Sequence, residues 1–272
     1  MTGLGNGLPA DLQTDRPHPA RVYDYLLGGK DNFAADRMAA EQGLRANPNS
    51  RIPPRENRAF LRRVVRTLAN DYGIRQFLDI GTGIPTAPNV HQVAQEVAPD
   101  ARVVYVDNDP MVLAHARALL TGSPEGQVAY IDADLRDVDS ILGAAELNAT
   151  LDLKQPVGLL LIAILHFIGD EDGPDEIVRQ LLDALPSGSY LALTHLTGDF
   201  DPGAWAGVAA VYKRSGVTMQ VRSRPDIERF FTGLEIVEPG LQVLPRWRPE
   251  ATGGPAPTDA QVSVYGGLAR KP

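Results

Sequence analysis

Short apolar segments recur along the chain from residue 76, and stretches with helical spacing lie between them. The apolar segments predict buried strands at 76–80, 102–107, 127–131, 157–165 and 189–196. The intervening stretches predict helices at 87–98, 110–121, 137–147 and 174–185. Strands that are apolar on both faces and alternate with helices are typical of parallel sheets covered on both sides. The pattern therefore predicts an α/β fold with a mainly parallel, doubly wound sheet.

The segments that flank this core have different patterns. Residues 1–18 are rich in Gly, Pro and Asp without periodicity, which predicts a flexible lead-in. Within 55–72, apolar residues recur every four positions and predict an amphipathic helix: Phe60, Val64, Leu68 and Tyr72. After residue 200 we expect helices near 203–214 and 225–231 and strands near 234–238 and 261–269. We therefore divide the chain into a lead-in (1–18), a helical N-terminal extension (19–75) and a main domain (76–272).

Composition and charge narrow the classes of function. The 272 residues are 43% hydrophobic and carry a formal net charge of −8, which disfavours a nucleic-acid partner. The chain contains no cysteine, so disulfides and thiolate chemistry are excluded. Neither a signal-peptide pattern nor a run long enough to cross a membrane is present, and we expect a cytoplasmic protein without a membrane partner. No His or carboxylate cluster has metal-ligand spacing, so no metal is expected.

Three consecutive predicted strands end in residues suited to a nucleoside. The first passes into DIGTG, where two glycines permit positive φ and let a ligand approach the backbone. An acid at the end of the second strand, Asp107, is placed to accept hydrogen bonds from both ribose hydroxyls. Asp134 follows the third strand, where an adenine amino group is a suitable donor. The candidate cofactor-binding residues of these turns are Asp79, Gly81, Thr82, Gly83, Asp107, Asn108, Asp134 and Leu135.

The same residues also have purely structural interpretations, and other nucleotide cofactors have to be considered. A Gly-x-Gly pair also occurs in purely structural turns, and an Asp after a strand is often a helix N-cap. NAD requires a third glycine, but Thr86 stands at that position. The LGGKD segment at 27–31 lacks the remaining residues of an ATP-binding loop. S-adenosylmethionine has no phosphate and requires only the first two glycines, so it fits the turn best.

The motifs DIGTG, YVDND and YIDADL resemble those of class I S-adenosylmethionine-dependent methyltransferases. The segments 18–37, 55–61 and 78–94 resemble more narrowly an actinobacterial family that was catalogued as a domain of unknown function and later labelled S-adenosyl methyltransferase. The resemblance implies a Rossmann-like class I methyltransferase fold with S-adenosylmethionine in its pocket. It also implies that Asp79 and the backbone of Ala163 lie near the methionine amino group. It supplies no acceptor.

The string RVYDYLLGGKDNF in the N-terminal extension has two interpretations. In the first, Tyr and Leu residues pack in a short helix that ends at Gly28 or Gly29. In the second, the segment covers the cofactor, and Tyr23 or Tyr25 closes on the methionine end. A closed site excludes water, which favours methyl transfer. Periodicity does not separate the two.

Two histidines at predicted strand ends are candidates for a catalytic base. Transfer to a hydroxyl or a protonated amine requires removal of a proton. His166 follows the fourth strand, and His195 closes the fifth. Either one is alternatively a structural histidine. Trp205 is a candidate for an acceptor pocket or for core packing. Arg222 and Arg224 are candidates for binding an acidic acceptor, but a solvated face is the favoured interpretation.

We therefore predict a methyltransferase that uses S-adenosylmethionine and acts on a small-molecule acceptor. Two alternatives remain: a non-catalytic S-adenosylmethionine-binding regulator and an NAD-dependent oxidoreductase. The sequence fixes neither the acceptor nor the oligomeric state.

Overall fold

The structure, a computed structural model, describes residues 12–119, 122–250 and 256–272. Most of the expected lead-in and the last residues of the helix expected at 110–121 lie outside the described residues. The helices are α1 (Pro19–Leu27), α2 (Ala34–Ala46), α3 (Ile52–Asn70), α4 (Val90–Val97), α5 (Pro110–Leu119), α6 (Val138–Leu142), α7 (Ala145–Thr150), α8 (Pro174–Asp183), α9 (Pro202–Arg214), α10 (Arg224–Glu228) and α11 (Asp259–Val262). The strands are β1 (Gln76–Ile80), β2 (Arg102–Asp107), β3 (Gln127–Asp132), β4 (Gly158–Ile162), β5 (Tyr190–Leu196), β6 (Glu235–Ile236), β7 (Gln242–Val243) and β8 (Val264–Arg270).

The strands form one mixed sheet with the order β3-β2-β1-β4-β5-β8-β6, and β7 also pairs with β8. The first five strands are parallel, whereas β8 runs antiparallel to β5, β6 and β7. From β1 the chain proceeds to β2 and β3 on one side, and then returns to β4 and β5 on the other. The strand order therefore reverses between β1 and β4, where doubly wound sheets bind their ligands. The predicted Rossmann-like architecture is confirmed.

Uninterrupted apolar runs produced the accurate strand predictions. Every residue of β1, β4 and β5 is buried, as expected for strands covered by helices on both faces. The predicted strand at 157–165 is too long, because Ala163 adopts a φ of 56° and Leu165–Phe167 forms a 3-10 turn. The predicted helix at 137–147 is wrong as a single element, since an extended residue, Ala144, separates α6 from α7.

Helices α1 to α3 form the N-terminal extension. Phe60, Val64 and Leu68 of α3 are fully buried, and the helix packs against α4, β4 and β8. Helix α1 ends at Gly28, which adopts the left-handed conformation with a φ of 87°. The three helices fall within the predicted extension, whose treatment as a separate part of the chain stays a prediction.

A chain of hydrogen bonds joins this extension to the sheet. The N–H of Ala163 donates to Oγ1 of Thr194 (2.8 Å), whose hydroxyl donates to Oδ1 of Asn57 (2.7 Å). Nδ2 of Asn57 donates to the Tyr23 hydroxyl (2.9 Å), which donates to the carbonyl of Pro54 (3.0 Å). Each hydroxyl accepts one bond and donates another, so the chain has a single direction. We call it the Thr194 chain. It connects the end of β4 and strand β5 with α3 and α1.

Buried charges fix the other side of α1. His18, which precedes the helix, places Nδ1 3.0 Å from Oδ2 of Asp109, just beyond β2. The guanidinium of Arg21 lies 3.3 Å from Asp36 of α2 and 3.7 Å from Asp109. Since Arg21, Asp36 and Asp109 are buried, removal of one partner would leave an uncompensated charge. The extension is thus held at the ends of both β2 and β4.

Replacing Thr194 with Val should destabilise the fold. Val keeps the shape of the fully buried side chain but leaves the N–H of Ala163 and Oδ1 of Asn57 without partners. An unsatisfied buried group costs about 1–3 kcal/mol, so we expect a loss of about 2 kcal/mol or more in the free energy of unfolding by urea. Thr150→Val is the control, because Thr150 is also buried but lies outside the Thr194 chain. Equal losses in the two variants would contradict the prediction.

Candidate functional site

The turn after β1 is built from backbone conformations that favour glycine. Gly81 and Gly83 have φ values of 76° and 69°. A Cβ atom on Gly81 would lie 2.6 Å from Cγ1 of Ile164, whereas the space around Gly83 is open. The N–H of Gly83 donates to Oδ2 of Asp107 at 2.8 Å. The turn is therefore fixed against the end of β2 while one of its glycines leaves room for a ligand.

A cavity of about 280 Å³ lies beyond the carboxyl ends of β1, β2, β3 and β4. We call it the large cavity. It brings together most of the predicted cofactor-binding residues, which are Tyr23, Asp79, Gly81, Thr82, Gly83, Asp107, Asn108, Asp134, Leu135 and Ala163. Tyr25, His166 and His195 do not line it.

Asp79 presents a buried carboxyl group to the large cavity. Its residue is only 4% exposed, and the carboxylate forms no salt bridge with any described residue. Burial raises the pKa of this carboxyl group to about 7, because the low-dielectric surroundings disfavour the charge, and nearby Arg58 only partly offsets the effect. A cation bound in the cavity would supply the additional countercharge that Arg58 provides only in part.

Asp107 is held by the backbone but retains capacity for a ligand. Its Oδ2 accepts from the N–H of Gly83 (2.8 Å), and its Oδ1 accepts from the N–H of Asp109 (3.0 Å). Burial raises the pKa of this carboxyl group, and these two hydrogen bonds oppose the effect. A carboxylate oxygen accepts about two hydrogen bonds, so each oxygen can accept one more. Such a carboxylate suits two neighbouring hydroxyl groups.

Asp134, in contrast, is occupied by its neighbours. Oδ1 accepts from the backbone N–H and Nε of Arg136 (2.9 and 2.8 Å). Oδ2 accepts from Nη2 of Arg136 (2.6 Å) and Nδ2 of Asn108 (2.9 Å). The Arg136 bonds hold the pKa of Asp134 below its usual range. Arg136 also lines the large cavity, and the sequence patterns gave no indication of its role.

The two tyrosines of α1 lie in different environments. Tyr23 lines the large cavity and belongs to the Thr194 chain. Tyr25 donates to Glu41 at 2.5 Å, and the guanidinium of Arg51 stacks over its ring at 5.0 Å. Because residues two positions apart point to nearly opposite sides of a helix, only one of the pair reaches the cavity.

His166 borders a second, smaller cavity of about 80 Å³, which we call the small cavity. It shares part of its wall with the large cavity: Pro19, Tyr23, Asn57, Ala163 and Phe167. Nδ1 of His166 is shielded from solvent and has no hydrogen-bond partner among the described residues. Burial, with the nearby His195 and Arg222, lowers the pKa of this imidazole well below its usual value, so the ring is neutral at physiological pH.

His195 has a fully satisfied, buried environment. Nη1 of Arg222 lies 2.9 Å from its Nε2, and its Nδ1 lies 2.7 Å from the carbonyl oxygen of Leu196. Burial lowers the pKa of His195 to about 3, and its side chain lines neither cavity. The expected solvated position of Arg222 is wrong, because its guanidinium is buried and donates to the carbonyls of Leu165 and Ile168 at 3.0 Å.

Several wall residues were not predicted from the sequence. Asn57 and Arg58 belong to the RENRAFL segment, which carried the family resemblance but gave no individual roles. Arg58 donates to the carbonyls of Thr86 and Pro88 and so fixes the loop after the glycine turn. Trp205, left open between pocket and core, lines the small cavity.

Two structural features are absent from the part of the chain that the structure describes. Within 12–119, 122–250 and 256–272, no cluster of three or more His, Cys, Asp or Glu residues is arranged to hold a metal ion. In the same part of the chain, no helix has the length and apolar character needed to cross a membrane.

Solved structures resemble the whole chain. A DUF574 family protein from Streptomyces avermitilis is 49% identical, with a TM-score of 0.94 over 96% of this chain and 100% of that one. A putative methyltransferase from Thermobifida fusca is 41% identical, with a TM-score of 0.88 over 97% and 98% of the two chains. An S-adenosylmethionine-dependent methyltransferase from Anabaena variabilis shares the fold alone, at 15% identity and a TM-score of 0.50 over 77% and 83%. No curated protein matches.

The family comparison agrees with the fold and with the sequence motifs. A family model described as S-adenosyl methyltransferase matches residues 6–272, which is nearly the entire chain. None of these comparisons supports the oxidoreductase or the regulator alternative. The chain therefore belongs to the S-adenosyl methyltransferase family, and it is a methyltransferase that uses S-adenosylmethionine.

Proposed function

We propose that S-adenosylmethionine binds in the large cavity, with its adenosine beyond β2 and β3 and its methionine end beyond β1 and β4. The observation that carries this orientation is the buried carboxyl group of Asp79, which lines the cavity without a salt-bridge partner among the described residues. It suits the methionine ammonium, and the carbonyl of Ala163 is a second acceptor at the same end. The free lone pairs of Asp107 suit the ribose hydroxyls. When bound, S-adenosylmethionine supplies an electrophilic methyl group.

The adenine end of the proposed site requires one rearrangement. Since Asp134 already accepts four hydrogen bonds, an adenine amino group can bind it only if Arg136 releases an oxygen. The Arg136 side chain is 49% exposed, so it can turn towards solvent at little cost. The buried side chain of Leu135 supplies an apolar surface for the adenine ring.

The acceptor is proposed to be a small molecule that reaches the methyl group where the two cavities meet. Pro19 and Tyr23, from the N-terminal extension, form part of the wall there and help to exclude water. Of the two predicted histidines, we assign the role of base to His166, because it lines the small cavity, whereas His195 is fully buried and bonded on both nitrogens. Tyr25 receives no role in the site.

Asp107→Ala should weaken binding of S-adenosylhomocysteine, the demethylated product, by about 1.5–3 kcal/mol, the range for hydrogen bonds to a charged group. This corresponds to a loss of roughly 10- to 150-fold in affinity. Isothermal titration calorimetry would measure it, with NAD as the ligand that should not bind. Asp132→Ala is the matched control, because Asp132 ends the neighbouring strand but is exposed and outside both cavities. Unchanged affinity in Asp107→Ala would show that the ribose lies elsewhere.

The affinity for S-adenosylhomocysteine should depend on the ionisation of Asp79. With a pKa of about 7 in the unliganded protein, the carboxyl group is neutral at pH 6 and charged at pH 8. A bound ammonium requires the charged form, so binding releases a proton below pH 7. The affinity should therefore fall by up to about tenfold for each unit by which the pH drops below 7, and it should be constant above pH 7. Equal dissociation constants at pH 6 and pH 8 would contradict this account.

Asp79→Asn should change affinity and stability in opposite directions. Folding raises the pKa of this carboxyl group from its ordinary value to about 7. Between these two pH values, the free energy of unfolding falls as the pH rises, because the folded protein holds the proton more tightly than the unfolded chain does. Asn removes that cost, so the melting temperature of the unliganded variant should exceed that of the wild type at pH 8. The same variant should bind S-adenosylhomocysteine more weakly and without pH dependence. A lower melting temperature at pH 8 would argue against a buried, uncompensated charge.

A further inference from the structure

The small cavity lies between the N-terminal extension and the end of the sheet. Residues of α1, α2 and α9 contribute to its wall, together with the 3-10 turn that carries His166. Because it shares Tyr23, Asn57 and Ala163 with the large cavity, a molecule placed in it would border the methionine end of the proposed cofactor site. Its position is therefore that of an acceptor subsite, an inference that rests on the proposed function.

The wall of the small cavity carries no formal charge. None of the described residues that line it is Asp, Glu, Lys or Arg, and aromatic rings contribute much of its surface: Tyr23, Phe167, Trp205 and Tyr212. A carboxylate or ammonium group would lose its hydration here without gaining a countercharge. The chemistry of the wall selects a neutral, ring-bearing molecule.

Two polar groups in this wall are buried without a hydrogen-bond partner among the described residues: Nδ1 of His166 and Nε1 of Trp205. The side chains of Tyr23 and Asn57 already form hydrogen bonds in the Thr194 chain. The Ser50 hydroxyl donates to the carbonyl of Asn47 at 2.8 Å. His166 forms no hydrogen bond through Nδ1, which is also shielded from solvent. Nε2 is therefore the ring nitrogen that can reach a ligand. In the neutral ring one nitrogen carries the proton, and with that proton on Nδ1, Nε2 can accept a hydrogen bond from a hydroxyl group. The Nε1–H of Trp205 can only donate.

Gly43 keeps the cavity open at a cost to local stability. It lies inside α2, where glycine is less favourable than alanine by roughly 1 kcal/mol. Its φ is not in the left-handed region, and no atom lies within 4 Å of the position that its Cβ would occupy. Neither backbone conformation nor close packing therefore requires glycine here. What Gly43 provides is space in the small cavity.

The size of the space limits what can enter it. At about 10–15 Å³ for each water-sized position, a cavity of about 80 Å³ holds roughly five to eight non-hydrogen atoms. A six-membered ring with one or two substituents has this size. We propose that the small cavity binds the ring of a neutral phenol-type acceptor, and that Nε2 of His166 accepts the hydrogen bond of its hydroxyl group.

In the proposed reaction, the methyl group moves from the sulfur of S-adenosylmethionine to the hydroxyl oxygen of the acceptor. As the hydroxyl oxygen forms its bond to the methyl carbon, the carbon–sulfur bond breaks and its electron pair stays on sulfur. The hydroxyl proton moves to Nε2 of His166 and then to solvent. The products are a methyl aryl ether, S-adenosylhomocysteine and one proton.

Binding of simple probes tests the proposal without any turnover. p-Cresol, toluene, benzoate and benzylamine are titrated into the protein, with and without S-adenosylhomocysteine, and binding is followed by calorimetry and tryptophan fluorescence. We expect p-cresol to bind roughly three- to tenfold more tightly than toluene, because its hydroxyl group adds one neutral hydrogen bond. The charged probes should bind at least tenfold more weakly than p-cresol. Equal binding of all four would overturn the proposal.

Two pairs of variants distinguish an effect on probe binding in the small cavity from a general effect on the fold. His166→Phe should abolish the preference for p-cresol over toluene, whereas His115→Phe, outside both cavities, should retain it. Gly43→Leu should fill the cavity and reduce p-cresol affinity at least tenfold. Gly203→Leu is its control, because Gly203 is an exposed helical glycine whose Cβ would also meet no atom within 4 Å. Equal p-cresol affinity in Gly43→Leu and the wild type would overturn the proposal.

Titration with S-adenosylhomocysteine alone distinguishes failure of this inference from failure of the proposed function. The Gly43→Leu variant should bind it within about twofold of the wild type, since the residue does not line the large cavity. If the wild type binds S-adenosylhomocysteine but not p-cresol, only the acceptor proposal is wrong. If it binds p-cresol at the small cavity but not S-adenosylhomocysteine, the cofactor site is wrong and the aromatic site stands.

Discussion

The Thr194 chain determines where the other parts of the site lie. It fixes the N–H of Ala163, at the end of β4, to β5, and it fixes both to Asn57 and Tyr23 of the N-terminal extension. Three of its residues, Tyr23, Asn57 and Ala163, line both cavities. The same bonds that attach the extension to the sheet therefore build the place where the cavities meet. The extension therefore forms part of the wall of both cavities, and a change in its packing would change the shape of the proposed site.

The walls of the two cavities differ in their charged residues. The wall of the large cavity contains Asp79, Asp107 and Asp134 as well as Arg58 and Arg136. Burial raises the pKa of Asp79 to about 7, and Arg58 offsets this effect only in part. The small cavity has no charged wall residue among those described and one neutral imidazole. In the proposed assignment, the large cavity binds a cation that carries hydroxyl groups and the small cavity binds a neutral ring. In both cavities a feature that weakens the fold, the buried Asp79 in one and the helical Gly43 in the other, leaves capacity for a ligand.

Much of the fold and of the large cavity was predictable from sequence. Strands β1 and β2 were predicted with correct limits because Gly81 follows the first run and Asp107 ends the second. Parallel strands bring their carboxyl ends together, so the residues at these ends were expected to meet. The Thr194 chain was not predictable, since Thr194 and Asn57 are 137 residues apart and single polar residues produce no periodic signal. The end of β4 was missed because Ala163 leaves the strand within a sequence that remains apolar. Arg222 was misplaced because nothing in its local sequence reveals the carbonyls that surround it.

A crystal structure of the complex with S-adenosylhomocysteine would test this arrangement through the position of the sulfur atom. We predict that the sulfur lies beside Tyr23, Asn57 and Ala163, where the two cavities meet, with the ammonium at Asp79 and the ribose at Asp107. A complex with the sulfur away from these three residues would contradict it. In that case the small cavity would not border the reacting carbon, and the N-terminal extension would cover the cofactor without contributing to methyl transfer.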